Sequence, residues 1–168
     1  RPTSAVPVDE SLRALDDLVR AGKVRYIATS SFAAWQILES LWVSKELHLE
    51  RVIAEQTPYS LVDRRVEREL LPMAQSYGIG ITVWSPLAGG LLTGKYHAEN
   101  WPSDSRFGST PDSDWEKRHF TAASAAVVQV VRELAAQKGV SPTQLSLAWI
   151  MRHPAVSSVV LGVRSLEQ

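Results

Sequence analysis

An α/β fold with four parallel strands and flanking helices is the architecture this sequence predicts. Three features carry the prediction. Helix-period and strand-period segments alternate along the 168 residues. The strand segments are largely apolar on both faces, as buried parallel strands are. Most connections are short, which favours right-handed crossovers between parallel neighbours.

Each element has its own signature. Val8 to Arg20 carries Leu12, Leu15, Leu18 and Val19 at helical spacing, and Ala21-Gly22-Lys23 stops it. Asp9, Glu10, Asp16 and Asp17 read as its solvated surface, the first two favourably near the helix N-terminus. Val24 to Thr29 reads as a short buried strand. Ala33 to Leu47 is helical, with Trp35, Leu38, Leu41 and Trp42 on one face. Arg51 to Gln56 is the second strand. Asp63 is placed as the N-cap of a helical stretch through Tyr77, with Val66, Leu70, Met73 and Ala74 inward. Pro72 is expected to kink or split that stretch. Ile79 to Trp84 is the third strand, followed by a long Gly-, Pro- and Ser-rich stretch from Ser85 to Asp114. Thr121 to Lys138 is a strongly apolar helix stopped by Gly139. Its stripe of Val127, Val128, Val130, Val131 and Leu134 reads as core. Ser141-Pro142 opens a further helix to about Arg152, with Pro in the first turn, and Pro154 closes it. Ser157 to Gly162 is the last strand.

Four such units are half of a familiar closed architecture. An eight-unit β/α barrel needs about 250 residues. A Rossmann-type sheet usually opens with a Gly-rich turn, and no Gly-x-Gly-x-x-Gly occurs here. The opening Arg1-Pro2-Thr3 has no initiator Met, and the stop at Gln168 follows an apolar run, so both ends read as cut. The expectation is the C-terminal half of a (β/α)8 TIM barrel. Residues 1–168 would be one partial barrel domain, with the N-terminal half and the extreme C-terminus outside.

Composition narrows the functional classes. The chain is 45% hydrophobic and 21% charged, which is ordinary globular usage. Eighteen basic residues balance eighteen acidic ones, so no electrostatic footprint for nucleic acid or an anionic membrane is expected. Zero Cys removes thiolate metal sites and a Cys nucleophile. His48, His97, His119 and His153 do not pair at ligand spacing, so no metal is expected. No apolar run reaches the ~20 residues of a membrane helix and no signal pattern is present, which points to the cytoplasm.

Barrel sites sit at the C-terminal ends of strands. Ser30-Ser31 follow the first strand, Gln56 ends the second, Trp84-Ser85-Pro86-Leu87 end the third, and Arg164 lies past the fourth. Read with their surroundings, these stretches carry a resemblance. They are Gly22-Lys23-Val24-Arg25-Tyr26-Ile27, Ser30-Ser31-Phe32, Gln56-Thr57-Pro58-Tyr59-Ser60-Leu61, the run Trp84 to Tyr96, and Leu161 to Gln168. In this order they resemble the aldo/keto reductase superfamily, near bacterial reductases akin to potassium-channel β subunits.

The resemblance implies a β/α eight-barrel that transfers hydride from NADPH to a small-molecule aldehyde or ketone. It implies that the catalytic Asp, Tyr, Lys and His belong to the first four units, before Arg1, so no catalytic residue is expected in this chain. What remains is most of the NADP(H) cradle. Ser30 and Gln56 match carboxamide binders, and Ser31 stands where the family usually has Asn. Trp84 matches the aromatic that stacks on the nicotinamide. Ser85, Pro86, Leu87 and Gly89 open the pyrophosphate loop, to which Lys95 and Arg106 bring charge. Gly162 precedes Arg164, which matches the 2′-phosphate contact, and Gln168 matches a residue near the adenine. Tyr59 has the wrong context for the catalytic Tyr and reads as structural. Trp101, Phe107 and Trp115 are candidates for the substrate pocket. Two other readings stay open. One is a non-catalytic NADP(H)-binding or regulatory module. The other is a half barrel that self-associates through its open edges, a homo-oligomer.

Overall fold

The computed structural model describes residues 5–96 and 119–163. Strands β1 (Ile27–Ser30), β2 (Val52–Pro58), β3 (Gly80–Trp84) and β4 (Val156–Val159) form one four-stranded sheet in the order β1-β2-β3-β4. β1 and β2 pair in parallel, with Ser30 opposite Gln56 and Thr29 opposite Glu55. Helix α1 (Val8–Arg20) precedes β1, and α2 (Ala34–Glu46), α3 (Leu70–Tyr77), α4 (Ala122–Lys138) and α5 (Pro142–Met151) lie between successive strands. Spatial order equals chain order, which suits part of a (β/α)8 barrel. Among the described residues no helix is long and apolar enough to cross a membrane.

The described residues fall into two compact units. The first holds residues 5–57, 66–83 and 154–158. In its core Leu12, Ile27 and Val52 are buried, with Leu15, Val19, Leu41 and Leu49 packed against them. Asp16 corrects the surface reading of α1. It is buried, accepts the Glu50 N–H at 2.8 Å, and receives Arg20 Nε at 2.6 Å. A buried carboxylate survives only with such partners. On α2 the inward residues are Ile37, Ser40 and Ser44. The Ser40 hydroxyl donates to Gln36 O and the Ser44 hydroxyl to Glu50 O. Trp35 and Trp42, expected on the apolar face with Leu38 and Leu41, are instead 63% and 64% exposed. Gly80 opens β3 where space decides: a Cβ there would lie 2.7 Å from Ser157 Oγ.

The second unit holds residues 58–65, 84–96, 119–153 and 159–163. Ala88, Leu91, Leu92, Val128 and Val131 form its core. Its helices begin as their caps dictate. The Thr121 hydroxyl accepts the Ser124 N–H at 3.1 Å at the start of α4. Ser141 and Gln144 form a reciprocal capping box at α5, at 3.1 and 2.8 Å, with Pro142 as the first helical residue. The apolar stripe of α4 is only partly core: Val128 and Val131 are buried, but Val130 is 52% and Leu134 41% exposed.

Several boundaries move, and β2 runs on past Gln56 to Pro58. The long helix expected from Asp63 is a short 3-10 turn, Arg65–Glu67, followed by α3. Asp63 does not cap a long helix: its carboxylate is held by the Arg65 guanidinium and also accepts the Arg65 N–H at the start of the short turn. Pro72 is the third residue of α3, in the first turn, where no intrahelical N–H is lost. β1 starts at Ile27 rather than Val24, and β4 covers Val156–Val159 rather than Ser157 to Gly162. The both-faces-apolar reading of the strands fails at β2, where Glu55 and Thr57 are buried.

Candidate functional site

In the first unit the parallel register does the assembling. Ser30 is the last residue of β1 and stands opposite Gln56 near the end of β2; both are half-buried. Ser31 follows with φ +60°. An L-residue in that region costs roughly 1–2 kcal/mol, so something must hold it. Its own N–H donates to Gln56 O at 3.0 Å. The next N–H, of Phe32, donates to Glu55 Oε1 at 3.0 Å. The structure thus brings Ser30, Ser31 and Gln56 to one strand-end corner.

Sequence reasoning passed over Glu55. It is completely buried. Burial pushes its carboxyl above the ordinary carboxylate range, and the Thr29 hydroxyl with the N–H groups of Phe32 and Ser31 offset part of the rise. Its Oε2 and the Thr29 hydroxyl are buried without a hydrogen bond of good geometry. A lone acidic residue inside an apolar strand was the only available signal.

In the second unit Trp84 ends β3, half-buried, and the chain turns at once. Ser85 (φ +51°) and Ala88 (φ +49°) are both left-handed, and Ala88 N–H donates back to Ser85 O at 2.9 Å. Pro86 is buried and Leu87 half-buried within that turn. A second 3-10 segment, Ala88–Thr93, carries Gly89 and Gly90 at φ +65° and +104°. Gly90 also meets a close neighbour, since a Cβ there would lie 3.2 Å from Lys95 Cε. Lys95 is exposed, with its Nζ 5.1 Å from the Tyr96 ring centroid. The turn is closed on itself, with the Gly90 N–H donating to Leu87 O at 2.9 Å, and leaves Lys95 as an exposed cation beside it.

Trp84 and Ser85 line a cavity of about 430 Å³ together with Ser60, Asp63, Arg65 and His119. Asp63 and Arg65 form a two-pronged pair, both contacts at 2.8 Å. The Arg65 hydrogen bonds hold the Asp63 carboxyl below the ordinary range, with some help from His119. These charged wall residues were not foreseen as part of a site. Tyr59 is buried, its ring 5.2 Å from that of Trp149, and it also lines this cavity. Gly162 lies past β4 and is exposed. Arg106, Arg164 and Gln168, expected in the cofactor cradle, and Trp101, Phe107 and Trp115, expected near the substrate, lie outside the described residues.

Comparison with known proteins decides the family. The Aldo/keto reductase family model matches residues 1–168. The chain belongs to the aldo/keto reductase family. Among the relatives of this family member is a probable voltage-gated potassium channel subunit beta of Oryza sativa subsp. japonica. It is 40% identical over 169 residues, covering 100% of this chain and 52% of the relative. An uncharacterized oxidoreductase of Bacillus subtilis is 33% identical, covering 96% of this chain and 47% of its own length. Versiconal hemiacetal acetate reductase of Aspergillus parasiticus is 34% identical, covering 92% and 44%. The aldo/keto reductase chain described here thus spans about half the length of the curated relatives it matches.

Proposed function

We propose that this chain forms the cofactor-binding part of an NADPH-dependent oxidoreductase of the cytoplasm that reduces an aldehyde or ketone to an alcohol. The observation that carries the reading is the pairing of Ser30 with Gln56 at neighbouring strand ends. A carboxamide offers one acceptor and one NH2 donor group, and a hydroxyl with a side-chain amide can meet both. Ser31 adds a second hydroxyl to the same corner. Trp84 would give its indole face to the nicotinamide, a contact worth about 0.5–1.5 kcal/mol beyond area burial. The Ser85–Gly90 turn and Lys95 suit phosphate oxygens through main-chain N–H groups and an ammonium. By family resemblance Arg106, Gly162, Arg164 and Gln168 extend the cradle to the 2′-phosphate and adenine, and a guanidinium fork there favours NADPH over NADH. The bound cofactor supplies hydride. The chain's own residues bind and orient; the proton donor of the family lies outside this sequence by the same resemblance.

The test is calorimetric titration with NADPH and NADH, beside a carbonyl-reduction assay. We expect binding with a preference for NADPH and no carbonyl reduction at a typical enzyme rate. A positioned general acid contributes about 10²–10⁴-fold, so ordinary turnover by this chain would contradict the missing-donor argument. Absence of binding would remove the cofactor reading. A second reading, a non-catalytic NADP(H)-binding regulatory module, is favoured by one observation: the rice relative is named as a channel β subunit. It predicts binding that persists while a longer chain with the preceding units still shows no reduction.

A further inference from the structure

Glu55 occupies the one position of β2 where a carboxyl group is completely enclosed. Val or Ile would suit such a strand position better, since burying a carboxyl group disfavours folding unless the group is used. Its use is visible in the connectivity. Two successive N–H groups after β1, those of Ser31 and Phe32, donate to two successive residues of β2. Ser31 reaches the Gln56 carbonyl and Phe32 reaches Glu55 Oε1, each at 3.0 Å. One tie is main chain and forms with any residue at 56. The other exists only because residue 55 has a side-chain acceptor. Ser31 at φ +60° does not favour this turn by itself. The register completes the arrangement: Thr29 faces Glu55 and Ser30 faces Gln56. Without the Glu55 acceptor the Phe32 N–H would lose its partner, Ser31 would be free to relax to negative φ, and the two serines would shift relative to Gln56.

We infer that Glu55 is the positioning residue of the strand-end corner, holding the Ser31–Phe32 turn so that Ser30, Ser31 and Gln56 keep one fixed arrangement. Its effect on cofactor affinity rests on the NADP(H) reading above; its hold on the turn does not. An acceptor oxygen is all the geometry requires, so an amide should serve as well as a carboxyl.

The experiment compares the whole chain with its E55Q and E55A variants, and with V52A as a control for a core cavity in the same strand. Amide exchange at Phe32 is read by NMR, and NADPH affinity by calorimetry. In the unaltered chain and in E55Q the Phe32 amide should be protected, although it lies outside every strand. In E55A it should exchange about 10-fold faster or more, and NADPH should bind about 10-fold more weakly, the loss of one hydrogen bond of ordinary strength. V52A should leave both readings near those of the unaltered chain while lowering stability. Equal Phe32 protection in E55A overturns the proposal, and so does an E55A that binds NADPH as well as E55Q does. If E55A does not fold, the unaltered chain and E55Q decide: an unprotected Phe32 amide in either overturns it. If no version binds NADPH, the cofactor reading fails, and the exchange data still rule for or against the hold on the turn.

Discussion

Two carboxyl groups of this chain have opposite electrostatic situations, and the difference gives opposite pH responses. Burial raises the Glu55 pKa, so the folded chain holds that proton more tightly than the unfolded one. Its contribution is fully present at low pH and is lost as pH rises from the ordinary carboxylate range through the raised value. Asp63 is shifted down by Arg65, so its contribution is present above the ordinary range and is lost as pH falls through the lowered value. Arg65 is largely exposed, so this pair is worth no more than about 1 kcal/mol. Urea unfolding at a series of pH values should therefore show E55Q gaining on the unaltered chain as pH rises and matching it in acid. D63N should narrow the acid loss of stability instead. An E55Q curve parallel to the unaltered one at every pH would refute the buried-acid account. The roles of the buried carboxyls Glu55 and Asp16 were not legible in the sequence. Glu55 becomes meaningful only when Phe32 arrives beside it, and Asp16 only when Glu50, 34 positions away, presents its N–H.

Helices were far more legible than the polar contacts, because their signals are local. Val8–Arg20 is bounded as the apolar spacing and the following Gly22 imply. The start of α5 was read from Ser141-Pro142; the structure adds Gln144, whose side chain and that of Ser141 each accept an orphan N–H at the first turn. That gives a direct prediction: S141A should destabilise the fold by about 1 kcal/mol by leaving the Gln144 N–H without its acceptor. A thermal-melt difference indistinguishable from zero would mean that this end of α5 frays without consequence. The segment after Asp63 was misread because Asp serves equally well as a cap or as the partner of an arginine. Only the geometry shows that Arg65, two residues on, claims both oxygens.

The parallel order of strands and the strand-end location of Ser30, Gln56 and Trp84 were readable from alternation and residue type. Burial of whole faces was not, since it depends on what lies beyond each helix. α2 shows this most clearly. Its Trp35 and Trp42, one heptad apart, look like core in the sequence and face outward in the structure. α4 repeats the point with Val130 and Leu134. Hydrophobic spacing says that a helix has an apolar side; it does not say what covers it.

Those two exposed indoles also decide how this protein must be watched with light. Water-facing tryptophans emit at long wavelength and meet soluble quenchers freely, so Trp35 and Trp42 should contribute red-edge emission that iodide suppresses. Trp84, half-buried at its strand end, should be shielded from iodide. Under the cofactor reading it should lose intensity when a nicotinamide stacks on it. A W35F/W42F double variant would then be a cleaner optical reporter of cofactor binding than the chain nature supplies. If the emission lost on replacing the two rings is not the part that iodide quenches, their outward placement is wrong.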